Sequence, residues 1–314
     1  MQARLTAYPP DSAASIRSIG PGDALRIGRG GDNGLRLEHP SISRSHAELH
    51  AAGDGWQLRD LGSKNGSFVD GTRVTLALLD RACWLRFGDV FCEFAPLTAA
   101  DMAAGASGMQ ARRAAATAHT ARLDGLQRLD DLLDASLRGV LELAQCERGF
   151  VLLQGNGGFR VRASLAMDPA QLATREFSGS VGAVRRALET GRSVVVNDIG
   201  SEAWLASRAS VVAAGLNALA CLPLLDGHDA IGVIYADRVH AGPPISTLDL
   251  ELLDAFTERA SLWLAARRTS EWLDGEPDDA QWSDIIATHA DDAATPPTAA
   301  QPATTSAVPT GDPT

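Results

Sequence analysis

A change of hydrophobic period near residue 122 constrains the fold of this chain more than any other feature. Up to residue 97 the apolar positions come in short runs. These are Leu25-Arg26-Ile27, Ala47-Glu48-Leu49-His50, Trp56-Gln57-Leu58-Arg59, Ser67-Phe68-Val69 and Val90-Phe91-Cys92-Glu93-Phe94. Gly, Asp, Asn and Pro separate them, and Asn65-Gly66 and Asp70-Gly71 are tight-turn pairs that tolerate positive φ. Short strands at this spacing predict an all-β sandwich over residues 1–97. From residue 122 the pattern is different. Leu123, Leu126, Leu129, Leu133, Leu137, Val140 and Ala144 recur at helical spacing, which predicts one amphipathic helix over 122–146.

Between these regions, residues 98–121 are rich in Ala, Gly and Met with weak periodicity, and read as a linker or a loose helix. After the predicted helix, strand-like runs fall at 149–153, 159–165, 193–197, 218–225 and 230–236. A helix is expected over 181–189, closed by Gly191, and a second over 247–267, capped by Ser246 or Thr247. Residues 122–268 should therefore form a second, mixed α/β domain. A chain of 314 residues suits two domains at about 150 residues each. Residues 269–314 turn to Ala, Pro, Thr and Asp and are expected to be disordered. One apolar island in that tail, Trp282-Ser283-Asp284-Ile285-Ile286, has the composition to dock on a folded surface.

Charge narrows the function classes. The net charge is -11, but residues 269–314 hold nine acidic residues and no Lys or Arg, leaving -2 over residues 1–268. That near-neutral body lacks the basic field that nucleic-acid binding requires, so no nucleic-acid partner is expected. No uninterrupted apolar run reaches the ~18 residues of a membrane span, and the N-terminus does not read as a secretion signal. Cys83, Cys92, Cys146 and Cys221 show no CxxC spacing and no metal-ligand pattern with histidine. They read as inert thiols of a cytoplasmic protein, and no metal is predicted.

The sharpest chemistry lies in three polar clusters, each where a predicted strand hands over to a loop. They are Gly28-Arg29, Ser43-Arg44-Ser45-His46 and Gly62-Ser63-Lys64-Asn65-Gly66-Ser67. Lys64 is the only lysine, against 27 arginines. A phosphate monoester needs fixed, charge-matched donors. Arg29 offers a planar fork for two phosphate oxygens, Ser43 a hydroxyl for a third, and Arg44 and Lys64 add positive charge. Asn65 can bond an extended peptide backbone through its amide. The pair Gly30-Gly31 lacks the spaced glycines and Lys-Ser/Thr of a nucleotide P-loop.

In their order and spacing, Leu25-Arg26-Ile27-Gly28-Arg29, Ser43-Arg44-Ser45-His46 and residues 61–71 resemble the forkhead-associated (FHA) domain signature. The resemblance covers about residues 4–96 and implies a β-sandwich that recognises phosphothreonine peptides. By motif it implies phosphate contacts from Arg29 and Ser43, flanking contacts from Arg44 and Lys64, and a backbone contact from Asn65. His46, with Gly28 and Gly66, would have a structural role. Two departures are visible. Lys64 stands where the family more often has a hydroxyl, and Asp70 replaces the commoner asparagine.

Residues 122–268 resemble a GAF domain, through 177–184, 190–198, Ala220-Cys221-Leu222-Pro223-Leu224 and Ile231-Gly232-Val233-Ile234-Tyr235. That implies an antiparallel sheet with flanking helices, holding either an unidentified small-molecule ligand or none. No cofactor is predicted, and no cyclic-nucleotide signature is present. The helices at 122–146 and 247–268 would either form a homodimer interface or cover their own sheet. Together the resemblances imply a non-catalytic signalling adaptor for a threonine-phosphorylated protein. A transcriptional regulator acting through a partner and a GAF-type thiol redox enzyme are the alternatives. In the tail, Thr288 with Asp291 three places on is a candidate phosphorylated segment for the same pocket.

Overall fold

The computed structural model describes residues 2–10, 12–53, 55–155, 158–167, 179–197 and 216–267, together with Trp282 and Ile286. The first domain is a sandwich of two sheets. One sheet runs in the order β2 (Ser15–Ile19), β1 (Gln2–Tyr8), β11 (Val90–Leu97), β10 (Cys83–Phe87), β7 (Ser67–Val69) and β8 (Thr72–Val74). The other runs β4 (Leu35–Arg36), β3 (Ala24–Gly28), β5 (Ala47–Ala52), β6 (Gly55–Asp60) and β9 (Leu76–Leu79). Their inner faces meet through Leu5, Ile27, Leu49, Trp56, Leu58, Leu85, Phe87 and Phe94, all fully buried. Trp56 packs edge-on against Phe94, with ring centroids 6.5 Å apart. The sandwich aligns the ends of β3, β5 and β6, and this alignment places the polar clusters.

Residues 99–123 form a regular helix, α1 (Ala99–Leu123), the second of the two forms expected for that stretch. A reciprocal capping box opens it: Thr98 Oγ1 accepts from the Asp101 N–H, while the Asp101 carboxylate accepts from the Thr98 N–H. The single helix expected over 122–146 is not observed. α1 ends at Leu123 and α2 spans Leu129–Ala144. Asp124 and Gly125 lie at the break, and the Asp124 carboxylate there accepts from Arg259 at 2.8 Å and from the Trp263 indole at 3.2 Å. The leucine spacing runs on unbroken because Leu123 and Leu129 enter the same core from two helices.

The second domain is an antiparallel sheet in the order β13 (Gly158–Leu165), β12 (Arg148–Gly155), β16 (Asp229–Arg238), β15 (Ala218–Asp226) and β14 (Val194–Asn197). Successive side chains alternate between its faces. Val151, Leu222 and Ile234 face α2 and α4 (Thr247–Arg267), meeting Leu133, Leu137, Val140, Phe256 and Leu264. The apolar stripes of these helices thus cover their own sheet. Phe150, Leu152, Leu219, Cys221 and Tyr235 line the opposite face, under α3 (Val181–Thr190). α3 stops where Gly191 adopts the left-handed conformation, and α4 starts on a box between Ser246 and Asp249. Of the tail island, Trp282 and Ile286 pack onto this second face. The rest of the tail, Thr288 and its expected disorder included, lies outside the described residues.

The two domains are joined by more than α1. Ala14, in the loop between β1 and β2, donates its N–H to the Ile245 carbonyl at 2.9 Å and accepts from the Thr247 N–H at 2.9 Å. Its neighbour Ala13 is buried in the core of the second domain. Arg112 of α1 meets Asp249 with two hydrogen bonds, at 2.9 and 3.0 Å.

Candidate functional site

Three loops leave one end of the sandwich and are laced together by their own backbone. Where β3 ends, the Arg29 N–H donates to the Ser43 carbonyl at 3.0 Å and the Gly30 N–H to the Arg44 carbonyl at 3.1 Å. This approach requires a glycine at 28, since a Cβ there would lie 2.3 Å from the Arg44 carbonyl oxygen. The Asn33 amide holds the same junction, donating to the carbonyls of Gly30 at 2.8 Å and Arg44 at 2.7 Å.

His46 ties the second loop to the third. It is fully buried. Its Nδ1 accepts from the Ser43 N–H at 3.2 Å, and Nε2 lies 3.1 Å from the Gly66 carbonyl oxygen. An acceptor at Nδ1 and a donor at Nε2 define the neutral imidazole with its proton on Nε2. Burial agrees with this, pushing the ring pKa below the usual histidine value. The ring also packs edge-on to Phe87, centroids 5.7 Å apart.

The third loop is built on Asp60. Its carboxylate accepts from the N–H groups of Gly62 and Ser63, at 2.9 and 2.8 Å, and from the hydroxyls of Ser63 and Ser67, both at 2.6 Å. Burial alone would raise its pKa, but these donors together outweigh it and hold the group below the ordinary carboxylate value. Gly66 closes the turn at φ +83°, with the Arg73 guanidinium against its open side. The loop is then pinned to the second one. The Lys64 N–H donates to Ser43 Oγ at 3.0 Å, and the Asn65 amide donates to the Ser41 carbonyl at 2.8 Å.

Arg29, Ser43, Arg44, Lys64 and Asn65 therefore sit on one laced rim. Arg29, Arg44 and Lys64 are exposed, and among the described residues none of the three pairs with a carboxylate. Ser43 keeps its hydroxyl proton available while its oxygen accepts from Lys64. Asn65 donates one amide N–H to Ser41, which leaves its second N–H and its carbonyl oxygen for an extended peptide backbone. Gly28, His46 and Gly66 brace the loops. Sequence reasoning passed over Asn33, Ser41, Asp60 and Arg73. Asp60 followed three residues later by Ser63 is a recognisable side-chain turn signal, whereas the bonds from Asn33 to Arg44 and from Asn65 to Ser41 cross between loops and leave no local trace.

The second domain offers no activated thiol. Burial pushes the Cys146 thiol up to about 12 and drives Cys221, within β15, further still. Such groups are not thiolates near neutral pH. Among the described residues no helix is long and apolar enough to cross a membrane, and no acidic, His or Cys cluster could hold a metal ion.

Comparison with known proteins agrees with this architecture. The FHA domain family matches residues 25–91 and the GAF domain family matches residues 128–264. The chain carries an FHA domain followed by a GAF domain. Over 80 residues it is 40% identical to the ABC transporter ATP-binding/permease protein Rv1747 of Mycobacterium tuberculosis, covering 26% of this chain and 9% of that protein. Over 52 residues it is 42% identical to the FHA domain-containing protein FhaB of Mycolicibacterium smegmatis, covering 17% of this chain and 34% of that protein. The chain thus matches only a small part of these relatives. Among solved structures, the Rv1747 FHA-1 domain of Mycobacterium tuberculosis aligns at 26% identity, covering 31% of this chain and 100% of its own, with a TM-score of 0.26.

Proposed function

We propose that the protein is a non-catalytic signalling adaptor whose FHA domain, residues 1–97, captures a threonine-phosphorylated segment of a partner. One observation carries the reading: Arg29, Arg44 and Lys64, unpaired among the described residues, stand on loops that backbone and buried hydrogen bonds tie together at Ser43 and His46. Three exposed cations that pair with no carboxylate among the described residues, on loops braced before binding, are suited to a dianionic phosphate. In this reading Arg29 and Ser43 grip the phosphate, Arg44 and Lys64 flank it, and the Asn65 carbonyl oxygen accepts from the peptide backbone. The GAF domain, residues 122–268, serves as a sensor for a small ligand, with α1 as the connecting helix. Four free cysteines fit a reducing, cytoplasmic setting.

The test is a phosphothreonine peptide library presented to the full chain and to Arg29→Ala. A hydrogen bond to a charged group contributes about 1.5–3 kcal/mol, so the variant should bind roughly 10- to 150-fold more weakly. Equal retention by both proteins would remove the assignment.

A further inference from the structure

Among the described residues, α3 covers part of the second face of the GAF sheet. α3 contributes Val181, Val184 and Ala187 over a wall made of Phe150, Leu152, Leu219, Cys221, Val233 and Tyr235. Trp282 packs over the same wall. It is fully buried, although it comes from a tail with nine acidic residues and no Lys or Arg. Its ring lies 5.0 Å from that of Phe150, tilted by 40°, and Phe150 is in turn stacked on Tyr235 at 5.0 Å and 18°. Ile286 packs against the same cluster.

Against this aromatic stack the described residues set a polar anchor. The Tyr235 hydroxyl donates to Asp237 at 2.7 Å and accepts from the Ser180 N–H, at the start of α3, at 3.1 Å. Arg148 holds the other side of Asp237. An apolar, aromatic wall beside a fixed polar cluster is the make-up of a small-molecule site, and the stacking geometry suits a flat ring. The group that fills it here comes from far along the chain.

We propose that Trp282 is an intramolecular occupant of a binding site for a planar aromatic ligand, so that ligand and tail compete for one face of the sheet. The proposal rests on the sensor reading of the GAF domain and adds the ligand class and the regulation. Binding of such a ligand would release the acidic tail, and tail docking would keep the site closed.

The experiment is calorimetric titration of the full chain with indole, comparing wild type with Trp282→Ala. The variant should bind indole at least tenfold more tightly than wild type. Equal binding by the two proteins would overturn the competition while leaving a ligand site, and with it the sensor reading, in place. Binding by neither, with Trp282→Ala folded by circular dichroism, would overturn the site itself. Should Trp282→Ala not fold, fluorine NMR of the fluorotryptophan-labelled chain decides. The Trp282 resonance, assigned by its loss in Trp282→Phe, should move on adding indole, and a resonance unmoved at saturating indole would sink the proposal.

Discussion

Replacing His46 by Ala tests the bracing of the rim without replacing any residue proposed to contact phosphate. The substitution removes the acceptor of the Ser43 N–H and the donor to the Gly66 carbonyl, both at a fully buried ring. Each buried group left without its partner costs about 1–3 kcal/mol. Loss of the edge-on packing with Phe87 adds a cavity term. A total of about 3–5 kcal/mol is expected, a large share of the ~5–15 kcal/mol that holds a domain together. Urea denaturation of the full chain, followed by tryptophan fluorescence with Trp56 reporting on the sandwich core, measures it. A change below about 1 kcal/mol would refute the claim that His46 holds the loops. The same residue sets a pH dependence. Its folded pKa lies below the usual histidine value, so the unfolded chain takes up the proton first as pH falls. The His46 contribution should be complete above ~6.5 and decline as pH drops from there towards the folded pKa. His46→Gln should remove that component of the profile.

Two further outcomes follow from the geometry. Gly28→Ala should weaken phosphopeptide binding and stability together, because its methyl meets backbone at 2.3 Å, whereas Gly31→Ala, with nothing within 4 Å, should change little; matching affinities in a titration of the two variants would refute the close-approach argument. Native protein at pH 8 should resist iodoacetamide at Cys146 and Cys221, with alkylation appearing only on unfolding, as read by mass spectrometry. Rapid native labelling of Cys146 would restore the thiol-enzyme alternative.

The rim was legible in the sequence because its residues cluster where predicted strands end, and Gly28, Asn65-Gly66 and Asp70-Gly71 announce the turns. What holds it was less visible. In the sequence the bracing role of His46 rests on resemblance alone, and the bonds from Asn33 to Arg44 and from Asn65 to Ser41 join loops distant in sequence. In the sandwich, β1 escaped notice because its core positions include the small residues Ala3 and Ala7, which give little hydrophobic contrast. α1 was read as a linker or loose helix because its buried positions, Ala116, His119 and Leu123, crowd into its last turns. The helix break at Asp124 was hidden by a leucine period that two successive helices share. Element type is readable from periodicity, whereas a boundary set by a tertiary partner such as Arg259 is not.

The contact at Ala14 bears on how the halves of this molecule should be handled. A fragment cut after residue 97 would lose the cover over Ala13 and leave the peptide groups of Ala14 to solvent. On the other side, the Ile245 carbonyl and N–H are also gripped by the Asn197 side chain, at 3.1 and 2.8 Å, at the end of β14. The end of that strand is therefore linked to the sandwich through only Asn197, Ile245 and Ala14, by hydrogen bonds alone.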